Sequence, residues 1–371
     1  MKSYNCYIHI PFCSSKCKYC RFASFSWFSN LKIQTYVDFL CKEIIDSDLE
    51  WVILDTIYFW WWTPWVLSLD QFLQIFQTLK SKFIFSESVE ISIETTPWNI
   101  TIENINWWKK LGINRISMWL QTLNEKSLIE IWRDSKWDII SALDLVNSIW
   151  FPNFSIDFII WLPYVVSWEI IKNIDFLLNK YYYIKHISVY MLEEYYDVPE
   201  VKESKFDNIV YPNDWSNLWL KEEFFSDEYI EIKKYLEKKW FNRYEISNYS
   251  KSWFECKHNI WYWNHKETLA FWLWAHGFLN NIRFSNSESF LDYYAKKNIT
   301  KEELNTDDLF LENIMFSLRT SWIDKVFLEK LDIKKVNYFI ENNLLLEKNN
   351  KIILTDSGVI FMDYILWEII I

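Results

Sequence analysis

Only three glycines, Gly112, Gly277 and Gly358, punctuate a chain of 371 residues that carries 25 tryptophans. Glycine is the residue that takes positive φ without strain and lets backbone approach a ligand closely. A chain with so little of it has few means of turning tightly. At ordinary usage a chain of this length holds roughly 26 glycines, close to the number of tryptophans and glycines taken together. Many tryptophans also stand where turns ask for glycine: after proline in Pro97-Trp98-Asn99, in the run Trp60-Trp61-Trp62-Thr63-Pro64, and in Ser252-Trp253. The pattern predicts a gene that reads UGA as glycine, translated as though UGA meant tryptophan. The alternative is a natural tryptophan-rich protein, and UGG codons at Trp60–Trp62 would establish it.

The remaining composition is that of a globular protein, with 51% hydrophobic and 24% charged residues. At ~100–200 residues per domain the length suits two domains, or one large domain with an appendage. The net charge of −11 and the absence of a lysine- or arginine-dense stripe argue against a nucleic-acid surface. No window of ~20 apolar residues is free of charge, so no membrane span is expected. Met1-Lys-Ser-Tyr-Asn-Cys6 does not read as a secretory signal. A cytoplasmic protein is expected.

Short β-rich runs alternate with amphipathic stretches through the first half. The expected strands are 4–10, 56–59, 89–93, 115–120, 154–160 and 186–191. The expected helices are 31–47, 69–82, 101–111, 139–149 and 167–180, with Ser68 and Gln71 forming a capping box before the second. Alternation of this kind specifies parallel βα units, and six of them suggest an open or complete barrel whose ligands sit at the strand C-terminal ends. Residues 195–215 are acidic and proline-punctuated, reading as an excursion or linker, and a charged helix follows at 221–239. The tail from about Thr300 has the pattern of a small separate domain, with Lys351–Gly358 resembling a winged-helix wing. The expected division is therefore 1–215 for the barrel, 216–299 for a helical segment packed on it, and 300–371 for the tail.

Six cysteines in so long a chain are too sparse for a disulfide scaffold, and Cys13, Cys17 and Cys20 fall within eight residues. Three thiolates spaced Cys-x3-Cys-x2-Cys can bind three corners of a [4Fe–4S] cubane, leaving the fourth iron open to an outside ligand. The alternative is structural zinc on these three with a fourth ligand such as Cys256. Zinc sites usually come as paired knuckles, and no second pair exists. Cys6 and Cys41 read as small core residues.

With its neighbours, Tyr7-Ile-His-Ile-Pro-Phe-Cys13-Ser-Ser-Lys-Cys17-Lys-Tyr-Cys20-Arg-Phe resembles the radical SAM coproporphyrinogen III oxidase-like family. Further matches appear where tryptophan stands for glycine. Tyr58-Phe-Trp-Trp-Trp-Thr-Pro64 resembles Phe-Gly-Gly-Gly-Thr-Pro. Asn114-Arg-Ile-Ser-Met-Trp-Leu-Gln121 and Asp157-Phe-Ile-Ile-Trp-Leu-Pro163 resemble two more of the family's motifs. The resemblance spans roughly residues 4–280. It implies an α/β fold, a radical SAM partial (β/α)6 TIM-like barrel with a C-terminal α+β, winged-helix-like appendage. It implies a [4Fe–4S] cluster on Cys13, Cys17 and Cys20. It also implies S-adenosylmethionine (SAM) held by Tyr7, Tyr19, the 60–62 backbone (Trp60, Trp61, Trp62), Thr63, Glu94, Gln121, Arg133 and Asp157. Three indoles at 60–62 would fill such a pocket, so the SAM reading needs glycine there.

Family members that decarboxylate coproporphyrinogen extend the motif to Cys-x3-Cys-x2-Cys-x-Cys, whereas here Arg21-Phe22 follows Cys20. That departure resembles the HemW-type haem chaperone branch, as does His258-Asn259-Ile-Trp-Tyr262-Trp263. This resemblance implies haem as cargo, with His258, Asn259, Tyr262 and Trp263 near it and Trp263 a genuine tryptophan. Cys256 and His276 are rival ligands, and His9 is expected to support the cluster loop. The implied partners are haem or a porphyrinogen, a haem-acceptor protein and an electron donor such as flavodoxin or ferredoxin. The second function carried forward is oxygen-independent coproporphyrinogen III oxidase. There, reductive cleavage of SAM would yield a 5′-deoxyadenosyl radical that abstracts hydrogen from propionate side chains before decarboxylation. Whether the chain is an enzyme therefore stays open at this stage, and no catalytic residue is assigned.

Overall fold

The computed structural model describes residues 2–13, 16–20, 24–25, 28–49, 51–61, 67–166, 168–192, 222–320 and 322–370. Six parallel strands stand side by side in chain order: β1 (Ser3–Ile10), β2 (Ile53–Trp61), β3 (Ile84–Thr95), β4 (Arg115–Gln121), β5 (Phe154–Ile160) and β6 (Ile184–Met191). Between them run α1 (Asn30–Ile45), α2 (Leu69–Lys82), α3 (Ile102–Leu111), α4 (Glu125–Glu130), α5 (Lys136–Ile149) and α6 (Glu169–Lys180). Every strand and helix expected in this half is present, and α4 is an addition. The Ser68 capping box forms as expected, with Gln71 N donating to Ser68 Oγ at 3.2 Å and Ser68 N donating to Gln71 Oε1 at 2.8 Å.

Period-two alternation along these strands separates two environments. Cys6, Ile8 and Ile10 of β1, Ile57 and Phe59 of β2, Ile91 and Ile93 of β3 and Ile116, Met118 and Leu120 of β4 are buried in one apolar core with the helices. The intervening positions are polar or aromatic: Asn5, Tyr7 and His9; Thr56, Tyr58 and Trp60; Glu90, Ser92 and Glu94; Arg115, Ser117 and Gln121; Ser155 and Asp157; His186, Ser188 and Tyr190. They face the barrel interior, which is therefore a lumen lined by polar side chains rather than an aliphatic plug.

β1 and β6 do not close on one another. The second half of the chain occupies both free edges, giving a twelve-stranded sheet in the order β12-β11-β10-β9-β1-β2-β3-β4-β5-β6-β8-β7. Its strands are β7 (Asn242–Arg243), β8 (Asn248–Ser250), β9 (Thr268–Phe271), β10 (His276–Leu279), β11 (Ile282–Ser285) and β12 (Thr300–Glu303), with helices α7 (Glu222–Lys238), α8 (Lys257–Trp263) and α9 (Phe290–Tyr294) among them. The segment expected to be helical holds these three helices and, in addition, five short strands. Strands of two to four residues are too short to leave a periodicity. The sheet also runs past residue 299, because β12 pairs with β11. The expected linker at 195–215 lies outside the described residues.

The tail holds α10 (Thr306–Thr320), β13 (Ile323–Asp324), α11 (Ile333–Glu341), β14 (Leu345–Lys348), β15 (Lys351–Leu354), α12 (Asp356–Ile360) and α13 (Met362–Ile369). The wing is a β14–β15 hairpin turning over Asn349-Asn350, at φ 52° and 60°, the positive pair that a two-residue hairpin favours. Gly358 does not belong to that turn, as the sequence had suggested. It lies in the first turn of α12, where a Cβ would meet Leu344 O at 1.8 Å.

Among the described residues, nine of the nineteen non-glycine residues with positive φ are tryptophan. Trp132, Trp150 and Trp240 follow helix C-termini, Trp168 caps the start of α6, and Trp51 and Trp253 lie in turns. Trp161, Trp272 and Trp274 follow β5 and β9. The left-handed conformation costs an L-residue roughly 1–2 kcal/mol. Nine such residues would approach the whole ~5–15 kcal/mol net stability of a typical protein.

Candidate cofactor site

Directly after β1 the chain forms the cysteine loop, pinned by Cys13 N donating to Phe25 O at 2.9 Å and Cys20 N donating to Cys17 O at 3.0 Å. Cys13, Cys17 and Cys20 are all buried and cluster with one another, with Tyr19, Trp60 and Trp119 packed against them. Arg133 Nη1 donates to Cys17 Sγ at 3.6 Å, and Nη2 donates to the Trp119 carbonyl. A guanidinium beside three thiols suits a group that carries negative charge on sulfur. Among the described residues no three side chains converge on a single metal position. Ligands to separate corners of a cubane need no common point.

The strand ends around this loop bring together the other expected SAM residues. Tyr7 OH is 3.1 Å from His9 Nδ1, and its ring meets Trp60 edge-on at 5.7 Å. His9 is buried beside the loop, as expected of a supporting residue. Tyr58, which the sequence reading passed over, donates to Glu94 Oε1 at 2.5 Å. Burial pushes Glu94 up to about 8 despite that bond, with Asp157 adding to the rise. Asp157 is raised by burial to about 6, opposed by hydrogen bonds from Ser188, Ser117 and Ser155 and by Arg115. Gln121 is fully buried at φ 70°, and neither its Oε1 nor its Nε2 has a hydrogen-bond partner. Buried amides are rarely left in that state, so Gln121 is a group arranged for a ligand. These polar residues fit a polar cofactor at the barrel mouth, provided the indoles packed there, Trp60 and Trp119 among them, are replaced by glycine. Trp62 and Thr63 lie outside the described residues, and of Trp61 only the backbone, as the end of β2, is described.

The expected haem residues are arranged differently. α8 crosses the opposite end of the barrel, and His258 is drawn inside it, with Nδ1 2.8 Å from Thr56 Oγ1. Thr56 in turn donates to Asn5 Oδ1 at 2.6 Å, so Nδ1 of His258 carries the proton. Burial, with Arg115 adding to it, holds the His258 imidazole down at about 3. Glu90 fastens the start of α8, accepting from Lys257 N at 3.1 Å, His258 N at 3.2 Å and Cys256 Sγ at 3.6 Å. Tyr262 and Trp263 pack instead on Phe316 of α10, and Asn259 is half-buried between. His258 is thus not open to a haem arriving from solvent, because its motif closes the barrel floor. Cys256 is fully buried and its thiol is pushed up to about 12 by burial, which keeps it from acting as a thiolate. The ring of His276, on β10, is exposed.

Glu90, Arg115 and His186 complete the floor and were missed in the sequence. His186 Nδ1 lies 2.7 Å from Ser155 Oγ, and its Nε2 lies 2.7 Å from Tyr244 OH. The usable signal was the run of polar residues at alternate strand positions, which a solvated sheet face also produces.

The sequence profile of the Radical SAM superfamily matches residues 7–177, from Tyr7 through α6. Over those residues the chain is similar to the radical SAM superfamily. Among its relatives, a protein named heme chaperone HemW from Buchnera aphidicola (subsp. Schizaphis graminum) is 27% identical, over 97% of this chain and 96% of its own length. The HemW of Lactococcus lactis is 29% identical over 96% and 94%. The solved structure of Escherichia coli coproporphyrinogen III oxidase (HemN) superposes with a TM-score of 0.81 over 98% of this chain and 89% of that one, at 18% identity. That likeness establishes a shared fold along the whole chain, the tail included. No helix among the described residues is long and apolar enough to cross a membrane.

Proposed function

We propose that this chain is a HemW-type haem chaperone that holds a [4Fe–4S] cluster and SAM at the barrel mouth and passes haem to an acceptor protein. The observation that carries the cofactor half is the buried trio of Cys13, Cys17 and Cys20 beside Arg133, together with the buried, unpartnered Gln121 at the end of β4. The haem half rests on relatives of that name matching along nearly the full chain, and on Arg21-Phe22 in place of a fourth cysteine.

When bound, the cluster can pass an electron to SAM. The protein's own part is binding and exclusion. Cys13, Cys17 and Cys20 hold the irons, and Arg133 balances charge on the sulfur side. Glu94 and Asp157 offer carboxyl groups to ribose hydroxyls or an ammonium, and Gln121 can both donate and accept. The surrounding aromatic rings keep water away. For the cargo, His276 takes over from His258 as axial ligand, since its ring alone of the two reaches solvent. A cytoplasmic location suits a carrier of haem between soluble partners, with a flavodoxin- or ferredoxin-like donor to the cluster.

The competing reading, coproporphyrinogen III oxidase, is favoured by the shared fold alone. An anaerobic assay of the iron-reconstituted protein separates them. Stoichiometric haem binding, seen as a shifted Soret band that His276→Ala abolishes and His258→Ala retains, is expected. Turnover of coproporphyrinogen without stable haem binding would reverse the order.

A further inference from the structure

Backbone conformation sorts the tryptophans into two classes, and the helix ends show it most directly. At the end of α3 the chain places Gly112 at φ 92°, with Gly112 N donating to Lys109 O at 3.0 Å and Ile113 N to Trp108 O at 3.0 Å. That pair of bonds is the Schellman motif, whose left-handed residue is usually glycine. At the end of α4 the same motif recurs with Trp132 at φ 60°, Trp132 N donating to Ile129 O and Arg133 N to Leu128 O. At the end of α7 it recurs with Trp240 at φ 67°, Trp240 N donating to Glu237 O and Phe241 N to Leu236 O.

Little compensates the strain at these positions beyond Lys18 Nζ, 5.5 Å from the centre of the Trp132 ring. Trp132 is 61% exposed, Trp240 80% and Trp253 94%, so their indoles bury little against the protein. Trp108 is the opposite case: it lies inside α3 at 1% exposure, where loss of the indole would leave a large cavity. Trp263 also packs, against Tyr262, Phe316 and the Arg319 guanidinium.

We infer that the nine tryptophans in left-handed or similarly positive-φ backbone are glycine in the polypeptide made by the encoding organism, while Trp108 and Trp263 are tryptophan. The consequence at the barrel mouth rests on the cofactor reading above. Trp272, at φ 147°, lays its indole flat on His9 with ring centres 3.3 Å apart, and Trp161 packs beside Tyr19. Trp60 and Trp119 press on the three cysteines. These four indoles stand at the C-terminal ends of β2, β4, β5 and β9, around the space beside the cluster loop. Glycine at the same positions empties it and leaves backbone amides as its walls, the arrangement by which a main chain approaches a nucleoside-like ligand closely.

Two measurements test the two halves separately. Peptide masses of the protein purified from the encoding organism should show glycine at all nine positions and tryptophan at Trp108 and Trp263. Tryptophan at any of the nine, or glycine at either of the two, overturns the assignment, and no folding step enters that result. For the pocket, the recombinant chain is compared with a variant carrying Trp60→Gly, Trp61→Gly, Trp62→Gly, Trp119→Gly, Trp161→Gly and Trp272→Gly. After anaerobic iron–sulfur loading of both, SAM binding is read by equilibrium dialysis, with cluster content from visible absorption. Binding by the variant and its loss in the parent is expected, and equal binding by the two, including none by either, overturns the pocket. A cluster formed without SAM binding would also count against the cofactor reading, while leaving the mass assignment intact.

Discussion

The mouth and the floor of this barrel are built from the same strands, two to six residues apart, yet they differ in how far their polar groups satisfy one another. At the floor, Glu90 accepts four hydrogen bonds, Thr56 both donates and accepts, and His186 is bonded through both ring nitrogens, with Nε and Nη1 of Arg115 the exceptions. At the mouth, Gln121 has no partner at all and His9 Nε2 has none. A region whose polar groups satisfy one another is complete as folded. One whose buried groups do not is complete only with something else bound. The contrast separates residues that hold the barrel together from residues that wait for a ligand, and it does so without reference to any relative.

The largest expected effect lies at the mouth. Cys17→Ala should abolish the cluster's visible absorption, whereas Cys256→Ser at the floor should leave it intact. Equal loss in both would dissolve the distinction. Next comes the floor: Glu90→Ala leaves four donors without their acceptor and Arg115 without a neighbouring negative charge, at a cost of about 3–5 kcal/mol. Urea unfolding of the apo protein measures it, and a loss below ~1 kcal/mol would mean the floor is not the fastening it looks to be.

Titration should distinguish the two ends by sign. Glu94 and Asp157 have folded values above their unfolded ones, so the folded state holds the extra protons. Their contribution is present at low pH and is lost as pH rises from about 4 to 8. His258 is depressed to about 3, so here the unfolded state binds the proton, and stability falls as pH drops from about 6.5 toward 3. Glu94→Gln should flatten the alkaline limb of a stability profile and leave the acid limb unchanged. The smallest effect is expected away from both ends. Trp240→Gly should raise stability by about 1 kcal/mol in thermal unfolding, because it relieves left-handed strain and removes no packing.

Much of this was legible from the residues alone. Strands 154–160 and 115–120 declare themselves through apolar residues at alternate positions, and α2 through its 3.6-residue period and the Ser68–Gln71 box. The cysteine loop needs only its spacing. The floor was illegible because Glu90, Thr56 and His186 come from three separate strands, and their meeting depends on parallel register that no local pattern encodes. His258 was misplaced for a related reason. A motif of histidine and aromatics looks like a ligand site until the helix carrying it is seen to point inward. The short strands β7 to β12 fall below the length at which periodicity can be read.

β1 has two neighbours in the sheet, β2 and β9, and the second begins at Thr268. Roughly 260 residues must therefore be synthesised after β1 before its other edge can be covered, a delay of about 13–50 s at ribosomal rates. The cysteine loop hangs from the end of that same strand. During this interval three thiols and an open strand edge are exposed together on the nascent chain. The order in which the ribosome delivers the sheet thus opens a defined period in which iron, an oxidant or another unfinished chain can reach the loop first.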